Sequence, residues 1–140
     1  MSLYLDASVV LPTLVPEAGS AKVDALLAGS TSIPWISEFA AAEVASTLSR
    51  LVRMHRLQAR LADQRLREFD AWRAADAEMI DVESSDVRLA GVIVRRFDLM
   101  LRAPDALHLA ICRRLEAQLV TMDRRLAAAG RDLGVAVTLL

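Results

Sequence analysis

The sequence predicts an α/β protein, a three-layer α/β/α sandwich with a mainly parallel central sheet. Two observations carry this. Short apolar runs of strand length are separated by helical stretches throughout the chain, which implies parallel strands joined by right-handed crossovers, with helices on both faces. The chain also has 140 residues, 54% of them hydrophobic, about the size of one domain and enough to bury a core. No repeat, low-complexity segment or linker interrupts it, so residues 1–140 are expected to form a single domain.

Taken in order, Leu3 to Asp6 is a buried-type strand, and Ser8 to Val15, with Pro12 inside it, is a short helical turn. A helix from about Ser20 to Leu27 stops at Gly29. Ser32 to Ile36 is a second strand, followed by a long helix from Ser37 to about His55 and another from about Gln58 to Ala75, with only a tight connection between them. Glu78 to Val82 is a third strand. Ser84, Ser85 and Asp86 cap a helix that runs to about Phe97, and Pro104 opens another that runs to Ala117. Leu119 to Met122 and Val135 to Leu139 are the last two strands, with an Asp123 to Ala129 helix between them and Gly130 near its end.

Composition narrows the function classes. The formal net charge is −1, yet Lys22 is the only lysine and every other cation is arginine. Arginine matches phosphate oxygens with a planar fork of donors, which permits nucleic-acid contact without requiring it. The single cysteine, Cys112, lies in an apolar helical pattern, so neither a disulfide framework nor a cysteine-based zinc site is available. No leader pattern opens the chain, and its apolar runs fall short of the ~20 residues that a membrane span needs. A cytoplasmic protein without membrane contact is expected. Neither glycine-rich nucleotide-binding signature occurs, which sets aside dinucleotide-dependent dehydrogenases and P-loop enzymes.

The polar residues that ask for an explanation are acids at strand ends. Asp6 ends the first strand and Asp123 the fourth, and ligands of an open parallel sheet collect beyond those carboxyl ends. Asp105 follows Pro104 and opens a helix that is apolar on nearly every side, which places its first turn near the sheet. Glu43 lies beside, not within, the stripe of Val44, Leu48, Leu51 and Val52, so periodicity alone leaves it a flank residue. Glu38 reads as a partner of its helix dipole. Each aspartate also has a plain reading as a helix cap or first-turn acid.

Together they point further. Two carboxylates ~5 Å apart repel by roughly 3 kcal/mol at an effective dielectric of 20, more than a cap returns, so a cluster of them calls for a cation. Oxygen-only ligands favour a hard one, Mg2+ or Mn2+. Thr121 alternates with Asp123 along its strand and offers a hydroxyl to the same face, and Ser8 stands in the same relation to Asp6. His108, one turn past Asp105, either lines the pocket or is a hydrogen-bonded core histidine. His55 falls in the basic run of Arg50, Arg53 and Arg56 and is expected to be exposed. Trp35, Trp72, Phe39, Phe69 and Phe97 are too scattered for a base-stacking platform and read as core.

The succession "YLDAS", "EFAAAEVAS", "APDALHLAICRRL" and "LVTMDRRL" covers essentially the whole chain and resembles the PIN-domain ribonucleases, specifically the VapC-type toxins of toxin–antitoxin pairs. "DALHLA" followed by "TMD" is its most specific part. The resemblance implies a parallel sheet flanked by helices and a quartet of acids that binds magnesium or manganese and cuts RNA. The matching positions are Asp6, Glu43, Asp105 and Asp123, with Thr121 and Ser8 as accessory hydroxyls, and Glu43 owes its place mainly to this match. Asp6 and Asp105 are the firmest expected metal ligands. Asp86 is not carried over.

The resemblance further implies a cognate antitoxin, DNA contact only through that antitoxin, and a homodimer. The apolar faces of the helices Ser37 to His55 and Gln58 to Ala75 are the expected dimer surface. Two other readings stay open from the residues alone. One is a magnesium-dependent phosphatase or phosphotransfer domain, which commonly adds a lysine, and here only Lys22 is available. The other is a non-enzymatic α/β interaction module whose acids are caps. No motif encodes which RNA would be cut.

Overall fold

The computed structural model describes residues 1–15 and 19–140. Five strands form one sheet: β1 (Leu3–Leu5), β2 (Trp35–Ser37), β3 (Glu78–Ile80), β4 (Gln118–Thr121) and β5 (Val137–Leu139). They lie in the order β3-β2-β1-β4-β5, and every pairing is parallel. The helices are α1 (Ala7–Leu14), α2 (Ser20–Gly29), α3 (Glu38–Arg53), α4 (Ala59–Asp76), α5 (Ser84–Ile93), α6 (Ala103–Leu115) and α7 (Arg124–Asp132). The expected class is therefore present, with β1 at the centre of the sheet, and no described helix is long and apolar enough to cross a membrane.

Alternation along β1 divides the core. Tyr4 packs with Leu109, Ile111, Leu119 and Leu126 on one face, under α5, α6 and α7. Leu5 packs with Val9, Ile36, Val44, Phe69 and Val120 on the other, under α1 to α4. In register, Tyr4 faces Leu119 and Leu5 faces Val120, so the two central strands send matched pairs to the two layers. Each such fully buried aliphatic side chain contributes roughly 1.5–3 kcal/mol. Helix α6 is covered on nearly all sides, as its composition predicts, with Ala106 and His108 to Cys112 buried.

Several boundaries move for identifiable reasons. The second strand starts at Trp35 instead of Ser32, because Pro34 has no N–H for a ladder, although its carbonyl accepts from Glu78 N at 2.9 Å. The third strand stops at Ile80. Glu83, not the serines, is the N-cap of α5, and the Asp86 carboxylate accepts from the Glu83 N–H at 2.9 Å. That helix ends at Ile93, where Arg95 N and Arg96 N bond three residues back instead of four, and Phe97–Leu99 forms a separate 3-10 turn. Phe97 is 83% exposed and not part of the core. Arg96 anchors the turn by donating to Asp98 and Asp132.

The apolar faces of the hairpin helices are partly used within the chain. Helices α3 and α4 direct Ala40, Ala41, Val44, Leu48, Ala62 and Phe69 into the monomer's own core. Exposed large apolar side chains lie at Val87 and Val92 on α5 and at Phe97 and Met100 just after it, and at Met54 and Leu61 on the α3–α4 hairpin.

Candidate active site

Asp6 follows the last residue of the central strand and caps α1, its Oδ1 accepting from Val9 N at 3.3 Å. Only 4% of it is exposed. The Ser8 hydroxyl donates to Oδ1 at 2.5 Å and the Thr121 hydroxyl donates to Oδ2 at 2.6 Å. Ser8 Oγ in turn accepts from Met122 N at 3.0 Å, and Thr121 Oγ1 accepts from Asp123 N at 3.0 Å. The two strand ends are thus tied through hydroxyls, with Asp6 between them. Burial pushes the Asp6 carboxyl above its ordinary range, and the hydrogen bonds from Ser8 and Thr121 and the nearby His108 only partly offset this. Its hydrogen-bond donors are two hydroxyls and an amide, with no cation among them.

Asp105 and Asp123 arrive from neighbouring helix starts. Asp105 Oδ2 accepts from Arg102 N at 3.2 Å, closing the first turn of α6. Asp123 caps α7, its Oδ1 accepting from Arg125 N at 2.8 Å and Leu126 N at 3.1 Å. Both line one open cavity of about 320 Å³ together with Met100, Arg102, Arg124 and Arg125. Its walls therefore carry both charge signs.

Glu43 stands on α3 and pairs with Nε2 of His108, one turn past Asp105 on α6. His108 is 3% exposed, and its Nδ1 lies 2.7 Å from the Tyr4 hydroxyl, which lies 2.7 Å from Ser37 Oγ. Ser37 caps α3 by accepting from Ala40 N at 3.0 Å. With Ser37 donating to Tyr4, Tyr4 donating to Nδ1 and Nε2–H donating to Glu43, every polar group in this buried chain has a partner. The rings of Tyr4 and Phe39 lean against His108, with centroids 5.7 and 5.4 Å away. His108 is thus both a hydrogen-bonded core residue and the contact that holds Glu43. Tyr4 and Ser37 were not singled out by the sequence. The available signal was Tyr4 two residues before Asp6, on the same side of a strand.

The six candidates therefore fall into three groups: Asp6 with Ser8 and Thr121, Asp105 with Asp123, and Glu43 with His108. Among the described residues no three His, Cys, Asp or Glu side chains converge closely enough to hold an ion. The donor set nonetheless fits a hard divalent cation in kind, being all oxygen around a buried carboxylate whose hydrogen-bond donors are all neutral. Asp86 has a different role. It is 1% exposed, and Arg114 of α6 grips it from Nε at 2.8 Å and Nη2 at 2.9 Å while also donating to the Asp81 carbonyl at 3.0 Å. Lys22 is exposed on α2, and a phosphoryl-holding lysine is not found in the described site.

Comparison with known proteins places this arrangement. The family model for the PIN domain matches residues 3–132. No curated protein matches the sequence. Among solved structures, VapC20 of Mycobacterium tuberculosis, a sarcin-ricin loop cleaving toxin, superposes with a TM-score of 0.75 at 20% identity, over 92% of this chain and 95% of that one. VapBC2 of Rickettsia felis, bound to a DNA fragment from its promoter, gives 0.73 at 15% identity over 100% and 99%. DNA-bound VapBC of Salmonella typhimurium gives 0.71 at 12% over 99% and 97%.

Proposed function

Because the chain belongs to the PIN domain family, we propose that it is a metal-dependent endoribonuclease and the toxin of a toxin–antitoxin pair. The observation that carries this reading is the buried Asp6 carboxylate at the carboxyl end of the central strand, held by Ser8 and Thr121 without a cation. Asp6 and Asp105 are the main ligands of a magnesium or manganese ion, and Glu43 and Asp123 complete the set directly or through water. When bound, that ion supplies Lewis-acid polarisation of a phosphoryl oxygen and a more acidic water for hydrolysis.

The chain's own residues supply the rest. Ser8 and Thr121 fix both oxygens of Asp6, so its orientation is set before anything binds. His108 fixes Glu43. Thr121 also positions the backbone of Asp123 through its N–H. These groups have partners locked by packing, which is the supporting shell a hydrolytic site requires.

A cognate antitoxin is the proposed partner, as in the VapBC complexes of similar fold, and DNA contact runs through that antitoxin. A homodimer belongs to the same proposal, with exposed Val87 and Val92 of α5 and Phe97 and Met100 after it as the surface we propose for it. The test of the reading is direct. Purified protein should cleave a structured RNA when magnesium or manganese is present and stop when a chelator is added. Cleavage that continues in excess chelator would rule out metal-dependent hydrolysis.

A further inference from the structure

Helices α3 and α4 form a hairpin whose base and tip differ in charge. At the base, Arg73 Nη2 donates to Glu38 Oε1 at 3.0 Å and its guanidinium lies 5.5 Å from the Phe69 ring centroid. Towards the tip the acids vanish. From Val44 to Ala62 there is no Asp or Glu, while Arg50, Arg53, His55, Arg56 and Arg60 all occur there and all are exposed. Arg65, Arg67, Arg73, Arg96 and Arg114 form ion pairs. None of the four tip arginines does so among the described residues, and Arg53 reaches only the Ser49 hydroxyl, at 2.6 Å.

The helix dipoles explain only half of this. Arg50 and Arg53 sit in the last turn of α3, where cations are favourable. Arg56 and Arg60 flank the first turn of α4, which holds no acid, so they stand where the dipole disfavours them by roughly 0.3–1 kcal/mol each. The turn itself is fixed: His55 adopts φ 58, with Arg56 N bonded to Leu51 O at 2.9 Å and His55 N to Val52 O at 3.0 Å. The hydrogen-bonded turn thus brings two arginines favoured by the α3 dipole together with two that the α4 dipole disfavours.

The tip is also aligned with the candidate site. Glu43 and Arg50 are seven residues apart on α3, hence nearly on one face, with Arg50 roughly 10 Å further along the axis and Arg53 roughly 15 Å. Exposure rises along that line, from half-buried Glu43 and Thr47 to exposed Arg50. We infer that the α3–α4 tip is a phosphate-binding arm that grips the RNA backbone several nucleotides from the bond being cut, through Arg50, Arg53, Arg56 and Arg60. This inference rests on the ribonuclease reading above. Four guanidinium groups without an acid among them match a chain of phosphates.

The test compares wild type with R50Q/R53Q/R56Q/R60Q and with the charge-keeping fourfold lysine variant. Binding is measured by fluorescence anisotropy across a salt series, with calcium replacing magnesium. The probes are a mixed-sequence single-stranded RNA of about twenty nucleotides and a trinucleotide. The glutamine variant should bind the long RNA on the order of a hundredfold more weakly, and its log–log salt slope should be shallower by about 0.7 per arginine removed. The lysine variant should keep most of the slope, and the trinucleotide should bind all three proteins alike. Unchanged long-RNA affinity and slope in the glutamine variant, with wild type binding and cleaving RNA, would overturn the arm and leave the nuclease reading intact. A wild type that neither binds nor cleaves any RNA would overturn the nuclease reading itself. A glutamine variant with altered sedimentation but normal RNA binding would reassign the tip to a protein contact. Equal melting temperatures confirm that the comparison is between folded proteins.

Discussion

At the residue scale, Asp123 separates a cap from a ligand. Its Oδ1 accepts from two amides of α7, so Asp123→Ala should lose about 1 kcal/mol of stability in urea unfolding. Asparagine caps about as well, so Asp123→Asn should stay within about 0.5 kcal/mol of wild type while RNA cleavage falls by orders of magnitude. Full activity in Asp123→Asn would return Asp123 to a purely capping role. Asp86 is the structural counterpart. Burial raises its carboxyl, but Arg114 and the Glu83 N–H outweigh that and hold it below the usual range. With the folded value depressed, the ion pair's contribution is present above the unfolded carboxylate value and is lost as pH falls through the folded one. Asp86→Asn should therefore cost roughly 3 kcal/mol at neutral pH, and its stability gap to wild type should shrink in acid below about pH 4. A gap unchanged down to pH 2 would contradict this.

At the scale of elements, the tightest constraint is where α7 meets β5. A Cβ on Gly130 would stand 2.8 Å from Val137 Cγ2 and 3.1 Å from Leu109 Cδ2. Gly130→Ala should then destabilise by about 1–3 kcal/mol despite alanine's better helix propensity, read as a lower urea midpoint. Gly29→Ala, with open space around its Cβ, serves as the neutral comparison. The same elements show what was legible beforehand. Strand type and order of occurrence followed from apolar runs between helices, and Asp6 and Asp123 were readable because each directly follows such a run. Glu43 was not, since its placement depends on His108 reaching across from α6, a contact between residues 65 positions apart that no local pattern encodes. The early end of α5 was equally hidden: apolar spacing continues through Phe97, whereas the backbone bonds of Arg95 and Arg96 switch to three residues back and Arg96 reaches Asp132 from a distant part of the chain.

At the scale of the whole molecule, an almost neutral chain divides its charge into regions: acids at the sheet's carboxyl edge, and arginines along the cavity rim and the hairpin tip. Its exposed apolar side chains include Val87, Val92, Phe97 and Met100 on and after α5, and Met54 and Leu61 on the hairpin. Sedimentation should accordingly show a dimer at micromolar concentration. Val92→Asp should shift it towards monomer without lowering the unfolding free energy of the monomeric fold by more than about 0.5 kcal/mol, as expected for a surface change. A dimer unaffected by that substitution would move the interface elsewhere. On the proposed function, Asp6 serves hydrolysis of RNA and not merely the start of α1. That role is tested most directly by the single-turnover cleavage rate of a structured RNA in magnesium, comparing wild type with Asp6→Asn, which preserves the cap. The rate should fall at least about a thousandfold with the fold and melting transition retained. A folded Asp6→Asn protein that cuts at the wild-type rate would contradict it.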